Sequence, residues 1–170
     1  MTLRIEEIQE EELNMLPDVK VDFDTYNHHA GIEHYRLLRY IGGFFNLVYD
    51  IGTYWGYSSL ALSGAKKVIT CDIEEHIKIK LPKNVDYRIG NCINNDLLKA
   101  DFIMLDVDHS GEFEKRVDTY LTDNNWKGVL IADDIYLNDS MTAWWDSITH
   151  EKHDISHIGH HSGTGLIYYE

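Results

Sequence analysis

Cations, cysteines and long apolar runs are all scarce in this sequence, and each scarcity excludes something. Its 170 residues carry 15 Lys plus Arg against 29 Asp plus Glu, a formal net charge of −14. A surface this acidic repels a phosphate backbone, so nucleic acid is not expected as a partner. Docking on anionic membranes is disfavoured for the same reason. There are two cysteines, Cys71 and Cys92, too few for a disulfide scaffold and without metal-ligand spacing. Each follows a strand-like apolar run, which predicts buried free thiols. No apolar run approaches the roughly 18 residues of a membrane span. The opening MTLRIEEIQEEEL lacks the basic start and apolar core of a secretory signal. A soluble cytoplasmic protein is the expectation.

What remains suffices for one domain. The chain is 44% hydrophobic and 26% charged, and at this length a fold buries about 70% of the surface its unfolded chain exposes. A single domain over 1–170 is expected, with 1–30 as an N-terminal arm or cap and 31–170 as the core. Ile32, Tyr35, Leu38 and Ile41 recur every three residues, predicting an amphipathic helix over 31–45 that ends at Gly42-Gly43. Beyond it strands are predicted at 47–51, 67–73, 85–89, 102–105, 128–132, more weakly at 155–158, and at 165–169. Helices are predicted at 58–63, 113–121 and 140–149.

Strands that read as unbroken apolar runs are covered on both faces, as in a parallel sheet flanked by helices. The fold class is therefore α/β, a doubly wound, mostly parallel seven-stranded sheet. Gly159–Thr164 is too short for a parallel crossover, so the last two strands should pair antiparallel. Glu74–Asn84, which includes Pro82, is short as well. Two of the usual crossover helices should be reduced or lost.

Open α/β sheets bind ligands outside the carboxyl ends of their strands. After the first strand the chain reads Asp50-Ile51-Gly52-Thr53-Tyr54-Trp55-Gly56-Tyr57-Ser58-Ser59. Gly52 allows a sharp turn and close backbone approach. Gly56 and the two serines stand where the next helix begins and offer N–H and hydroxyl groups. This G-x-x-x-G is not the G-x-G-x-x-G of a dinucleotide site. The second strand closes on Asp72, where a carboxylate can accept from both hydroxyls of a ribose. Together they suggest a nucleoside ligand without a pyrophosphate. Asn91, after the third strand, can hydrogen-bond an adenine edge or cap a turn.

The fourth strand runs into Asp106-Val107-Asp108-His109 and the fifth into Asp133-Asp134. If these strands are neighbours, Asp106, Asp133 and Asp134 converge. Like charges so placed raise one another's pKa unless a cation lies between them. Oxygen donors suit Mg²⁺, with Ca²⁺ or Mn²⁺ as substitutes. The plainer alternative is that these acids cap helices and turns. Of Trp144 and Trp145, one is expected in the core and the other in an acceptor pocket. Tyr26, His28 and His29 are candidate substrate contacts. The histidines of the last 21 residues, His150, His153, His157, His160 and His161, are read as ordinary rather than as a second metal site.

The run LVYDIGTYWGYSSLAL…KVITCDI resembles motif I and the second-strand acid of class I S-adenosylmethionine-dependent methyltransferases, a Rossmann-like fold. The resemblance implies Asp50 near the methionine end of the cofactor. It also implies Gly52, Thr53, Tyr54, Gly56 and Ser58 around it, and Asp72 with Ile73 at the ribose. DVDHSGEFEKRVDTYL followed by KGVLIADDI resembles the metal-dependent O-methyltransferases of the catechol and macrocin or macrolide-sugar types, and the cephalosporin-hydroxylase-like branch. In those, positions matching Asp106, Asp133 and Asp134 hold the cation, and in the sugar-modifying branch a His matching His109 is the proposed general base. Asp106 also borders the cofactor. Asp108 either orients that imidazole or begins the next helix.

The implied activity is methyl transfer to a hydroxyl of a small molecule or sugar. Alternatives are a methyltransferase-like nucleoside- or metal-binding protein without catalysis, and a hydroxylase-like metal enzyme. The latter is disfavoured by oxygen-only ligands, because non-haem iron sites use two His and one carboxylate. With 11 Tyr and 4 Trp, shielding of the acceptor site by a second subunit in a homo-oligomer is left open.

Overall fold

The computed structural model describes residues 4–16 and 32–170. Its strands are β1 (Leu47–Ile51), β2 (Lys67–Asp72), β3 (Val85–Ile89), β4 (Phe102–Leu105), β5 (Gly128–Asp133), β6 (Glu151–Asp154) and β7 (Thr164–Tyr169). The helices are α1 (Glu10–Asn14), α2 (Ile32–Gly42), α3 (Tyr57–Leu62), α4 (Glu112–Asp123) and α5 (Asp139–Ser147). The strands make one sheet in the order β3-β2-β1-β4-β5-β7-β6. β1 to β5 are parallel, and β7 runs antiparallel between β5 and β6.

The apolar runs are buried on both faces, as their lack of alternation predicts. Successive residues of one strand point to opposite faces, so Val48 and Tyr49 enter different cores. Val48, Val68, Phe102, Met104 and Ile131 pack under α2 and α3, through Leu37, Leu38, Ile41 and Leu62. Ile5, Ile8 and Leu13 of the N-terminal segment join that layer. Tyr49, Ile51, Ile69, Ile103 and Leu130 face the other layer, where α4 and α5 contribute Val117, Leu121, Trp144 and Trp145. Both tryptophans are thus core residues, each 5% exposed, and neither lines the cavities described below. Cys71 and Cys92 are buried free thiols.

One strand differs from expectation. Residues 155–158 are not extended; Ser156–Ile158 is a turn of 3-10 helix, and the sixth strand is the preceding Glu151–Asp154. Ile155 and Ile158 are three residues apart, a helical spacing that sends both into the core (0% and 4% exposed). The true strand reads Glu-Lys-His-Asp at the sheet edge, where no residue is fully buried, so it carries no apolar signal. The antiparallel pairing of the last two strands holds. Between β2 and β3 there is no helix, and between β3 and β4 only the turn Leu97–Lys99. The shortened crossovers read from Glu74–Asn84 are present.

Candidate active site at the carboxyl edge of the sheet

The parallel register places the candidate residues side by side. Asp50 pairs with Thr70 and Met104, and Leu105 pairs with Ala132, so Asp106 and Asp133 leave neighbouring strand ends. Over this edge lie two adjoining cavities, of about 570 and 300 Å³, that share Gly52, Tyr54, Asp106 and His109 in their walls.

The turn after β1 is built on glycine. Gly52 has φ +95°, and a β-carbon there would stand 1.5 Å from the carbonyl oxygen of Asp106. Only glycine lets β1 and β4 turn away together. Thr53 is buried with its hydroxyl 2.5 Å from that of Thr70, and Tyr54 is half exposed over the cavity mouth with its ring stacked on Trp55. Gly56, at φ +96°, starts α3.

Asp50 lies below this turn rather than in it. Fully buried, its Oδ2 accepts from Ser58 (3.0 Å), Ser59 (2.5 Å) and Thr70 (2.9 Å), which ties β1, β2 and α3 together. Burial pushes its carboxyl up, further than those hydroxyls and the nearby His34 pull it back. Asp50 lines neither cavity, whereas Ser58 and Thr53 line the smaller.

The larger cavity is walled by Asp72, Ile73, Cys71, Cys92 and Phe113. Asp72 accepts from the amides of Tyr54 (2.8 Å) and Ile73 (2.7 Å), so its carboxylate is fixed against the glycine turn at the cavity wall. Asn91 is elsewhere: it is exposed, accepts from the Ile93 amide at 3.1 Å, and lies outside the cavity walls.

The smaller cavity is lined by Asp106, Asp133 and Asp134 and by His34, His109 and His160. His109 Nε2 stands 3.5 Å from Asp106 Oδ1 and 3.3 Å from Asp134 Oδ2. Asp106 is pushed well up, by desolvation first and then by the charge of Asp133, with Asp134 and Asp50 adding and His34 opposing. Burial alone would also raise Asp133 and Asp134, yet both are lowered, by His34 and His160 and by His160 and Ser162 respectively. Burial pushes His34 and His160 down, but their acidic neighbours outweigh it. His34 ends above the usual range, and His160 is raised to about 10. Asp108 accepts from the Ser110 amide and hydroxyl at the entry to α4, the second of its two expected roles.

Four non-glycine residues among those described have positive φ, and three of them, Tyr54, His109 and Asp134, line these cavities. Backbone strain of this kind costs about 1–3 kcal/mol per residue and gathers at functional sites.

His34 was not singled out from the sequence, and His160, read there as ordinary, stands instead against Asp133 and Asp134 in the cavity wall. His34 falls in the buried stripe of α2 with Leu37, Leu38 and Ile41, an apolar register in which an imidazole is conspicuous. His160 was within reach of the antiparallel argument, since pairing Asp133 with Thr164 brings the turn before β7 beside the end of β5. Tyr26, His28 and His29 lie outside the described residues.

No family model and no curated protein matches the sequence. Solved structures do match in shape. A methyltransferase from Geobacter sulfurreducens superposes with a TM-score of 0.62 at 14% identity, over 94% of this chain and 95% of that one. An SAH-bound methyltransferase from Podospora anserina gives 0.61 at 14% identity, over 95% and 86%. An O-methyltransferase of tomaymycin synthesis from Streptomyces achromogenes, in complex with SAM, gives 0.58 at 15% identity, over 95% and 86%. The chain has the Rossmann-like methyltransferase fold.

Proposed function

We propose that this protein is an S-adenosylmethionine-dependent methyltransferase acting on a hydroxyl oxygen of a small molecule or sugar. The observation that carries the reading is the pair of adjoining cavities with His109 and Asp106 in their common wall. Structural neighbours bound to SAH or SAM support it.

The larger cavity suits the nucleoside end of the cofactor, with Asp72 placed to accept from the ribose hydroxyls. Gly52 and Tyr54 border the passage to the smaller cavity, where the sulfonium would meet the acceptor. The anionic residues around that passage favour a positively charged sulfur, and transfer then depends on positioning and charge. His109 takes the hydroxyl proton at Nε2, and Asp106 and Asp134 on either side stabilise the imidazolium that results. Asp50, Ser58 and Thr53 act from beneath by holding the turn in shape.

Oxygen donors for the expected cation stand at the ends of β4 and β5, where the charges of Asp133 and Asp134 add to the desolvation that pushes Asp106 up. Among the described residues, however, the group within coordinating reach that includes Asp133 joins it to His34 and His160. Asp106, Asp133 and Asp134 would hold Mg²⁺ or another dication, which lowers the pKa of a bound hydroxyl.

Calorimetry with S-adenosylhomocysteine, with and without Mg²⁺, tests the reading. Binding that is lost in Asp72→Ala supports it, and no binding in either condition rejects it. The helix-free links on both sides of β3 favour a second reading, a domain that binds the nucleoside without catalysis. Binding of S-adenosylhomocysteine with no methyl transfer to any hydroxyl acceptor would select that one.

A further inference from the structure

Asp133, at the end of β5, has a buried imidazole on each side. His34 Nδ1 stands 3.4 Å from Asp133 Oδ2, and His160 Nδ1 stands 3.4 Å from Asp133 Oδ1. The three residues are 1%, 3% and 4% exposed in the order His34, Asp133, His160. Each offers a ligand atom within 4.8 Å of the others. Neither ring nitrogen of His34 has a hydrogen-bond partner, and Asp133 Oδ1 has none either. All three line the smaller cavity.

A buried imidazole whose Nε2 has no partner, and whose Nδ1 has only a long ion pair with Asp133, is costly, because desolvated polar groups normally find partners. A charge-assisted pair with Asp133 would meet that need at about 2.7–2.9 Å, and His34 stops short of it. Its 3.4 Å separation matches another geometry. Ligand atoms about 2.05 Å from a tetrahedral ion lie about 3.3 Å from one another. His160 differs in that its Nδ1 also has Asp134 Oδ1 and the Ser162 hydroxyl at 2.9 Å, contacts that this nitrogen would exchange for the ion.

We propose that His34, Asp133 and His160 are the ligands of a transition-metal dication that prefers imidazole nitrogen, of the Zn²⁺ or Fe²⁺ kind. The cavity side is left for water or for an acceptor oxygen. This rests on the methyltransferase reading and replaces its all-carboxylate cation set: the ion is selected by two nitrogens and one carboxylate, a set that Mg²⁺ avoids. Asp106 then lies outside the ligand set, beside His109. The other clustered group among the described residues, Glu6, Glu151 and His153, is partly exposed and already neutralised by Arg4.

The test uses the untagged full chain, stripped with chelator and titrated by calorimetry with Zn²⁺ and separately with Mg²⁺. One Zn²⁺ should bind per chain and resist competition from excess Mg²⁺, and Co²⁺ should give the visible bands of a four- or five-coordinate site. His34→Ala and His160→Ala should each lower Zn²⁺ affinity by more than about a hundredfold, since outer-sphere changes alone cost 10–100-fold. Asp106→Asn should leave it unchanged. X-ray absorption at the zinc edge of the unmutated protein should show two imidazoles, a readout that does not depend on any variant folding. Absence of Zn²⁺ binding, absence of imidazole scattering, or folded His34 and His160 variants with unaltered affinity would each overturn the proposal. So would Mg²⁺ binding that only Asp106→Asn abolishes. S-adenosylhomocysteine binding by the metal-free protein is read on the same sample, so failure of the metal site and failure of the methyltransferase reading are seen separately.

Discussion

The carbonyl oxygen of Asp106 occupies the space in which Gly52 would carry a side chain, 1.5 Å from where the β-carbon would stand. The loops that follow β1 and β4 are thereby in backbone contact, and the wall shared by the two cavities is made at that contact.

Gly52→Ala tests this contact directly. It adds a left-handed alanine and a clash with backbone, each worth about 1–3 kcal/mol. A loss of about 3 kcal/mol or more in denaturant-derived stability is expected, with loss of S-adenosylhomocysteine binding in whatever remains folded. A variant as stable as the parent would show that the two loops can part.

Asn138 links the proposed base to a helix. Its Nδ2 donates to the carbonyl of His109 at 2.9 Å, and its Oδ1 accepts from the Met141 amide at 3.0 Å as the N-cap of α5. Asn138→Ala should cost about 1 kcal/mol through the lost cap. Asn138→Asp, which keeps the cap and loses the donor, should restore most of that stability but not the methyl-transfer rate. Equal rescue of both would show that Asn138 serves the helix alone.

Glu114 is 2% exposed, and neither carboxyl oxygen has a partner. Burial first, and Asp108 next, raise its pKa above the ordinary 4.5, against the pull of local amides and His109. The folded state then holds a proton that the unfolded state has released, so this group's contribution to stability falls as pH rises from about 4.5 through the folded value. Glu114→Gln removes that dependence. Melting curves of variant and parent should diverge in favour of the variant as pH rises from about 4.5, and parallel curves would refute the assignment.

Tyr168 anchors the N-terminal segment. Its hydroxyl donates to Glu6 Oε2 at 2.5 Å and accepts from the Ile5 amide at 3.2 Å. Tyr168→Phe should cost about 1.5 kcal/mol, the size of a hydrogen bond to a charged group. Limited proteolysis should then cut within 5–16 sooner than in the parent while the rest of the chain resists as before.

The parts of this protein that were legible in its sequence are those where one pattern governs one element. Phe102–Leu105 is a strand that is apolar throughout and Leu47–Ile51 is one that is apolar apart from Asp50, and they are buried on both faces for that reason. The glycine turn, Asp72, and the aspartates after β4 and β5 could be placed on one edge because parallel strands all end there. The polar edge strand Glu151–Asp154 was hidden because an edge needs no apolar face. Asp50 looks in sequence like a ligand-facing acid, but the three hydroxyls bonded to it come from α3 and β2, which meet it only in the fold. The same holds for His34 and His160. They reach Asp133 from a helix and a turn more than a hundred residues apart, and no local spacing records that meeting.

The bare link between β2 and β3 has an energetic consequence. β3 pairs with β2 alone, and none of its five residues is fully buried. Little apolar area opposes its separation, so this end of the sheet should open at a lower free-energy cost than β4, β5 and β7, whose strands lie between two cores. The larger cavity is walled by Asp72 at the end of β2 and by Cys92 just beyond β3. A nucleoside seated there would stabilise the loosest strands by mass action, in proportion to the logarithm of its concentration over its dissociation constant. Occupancy of the site and rigidity of the sheet's edge would then be one equilibrium.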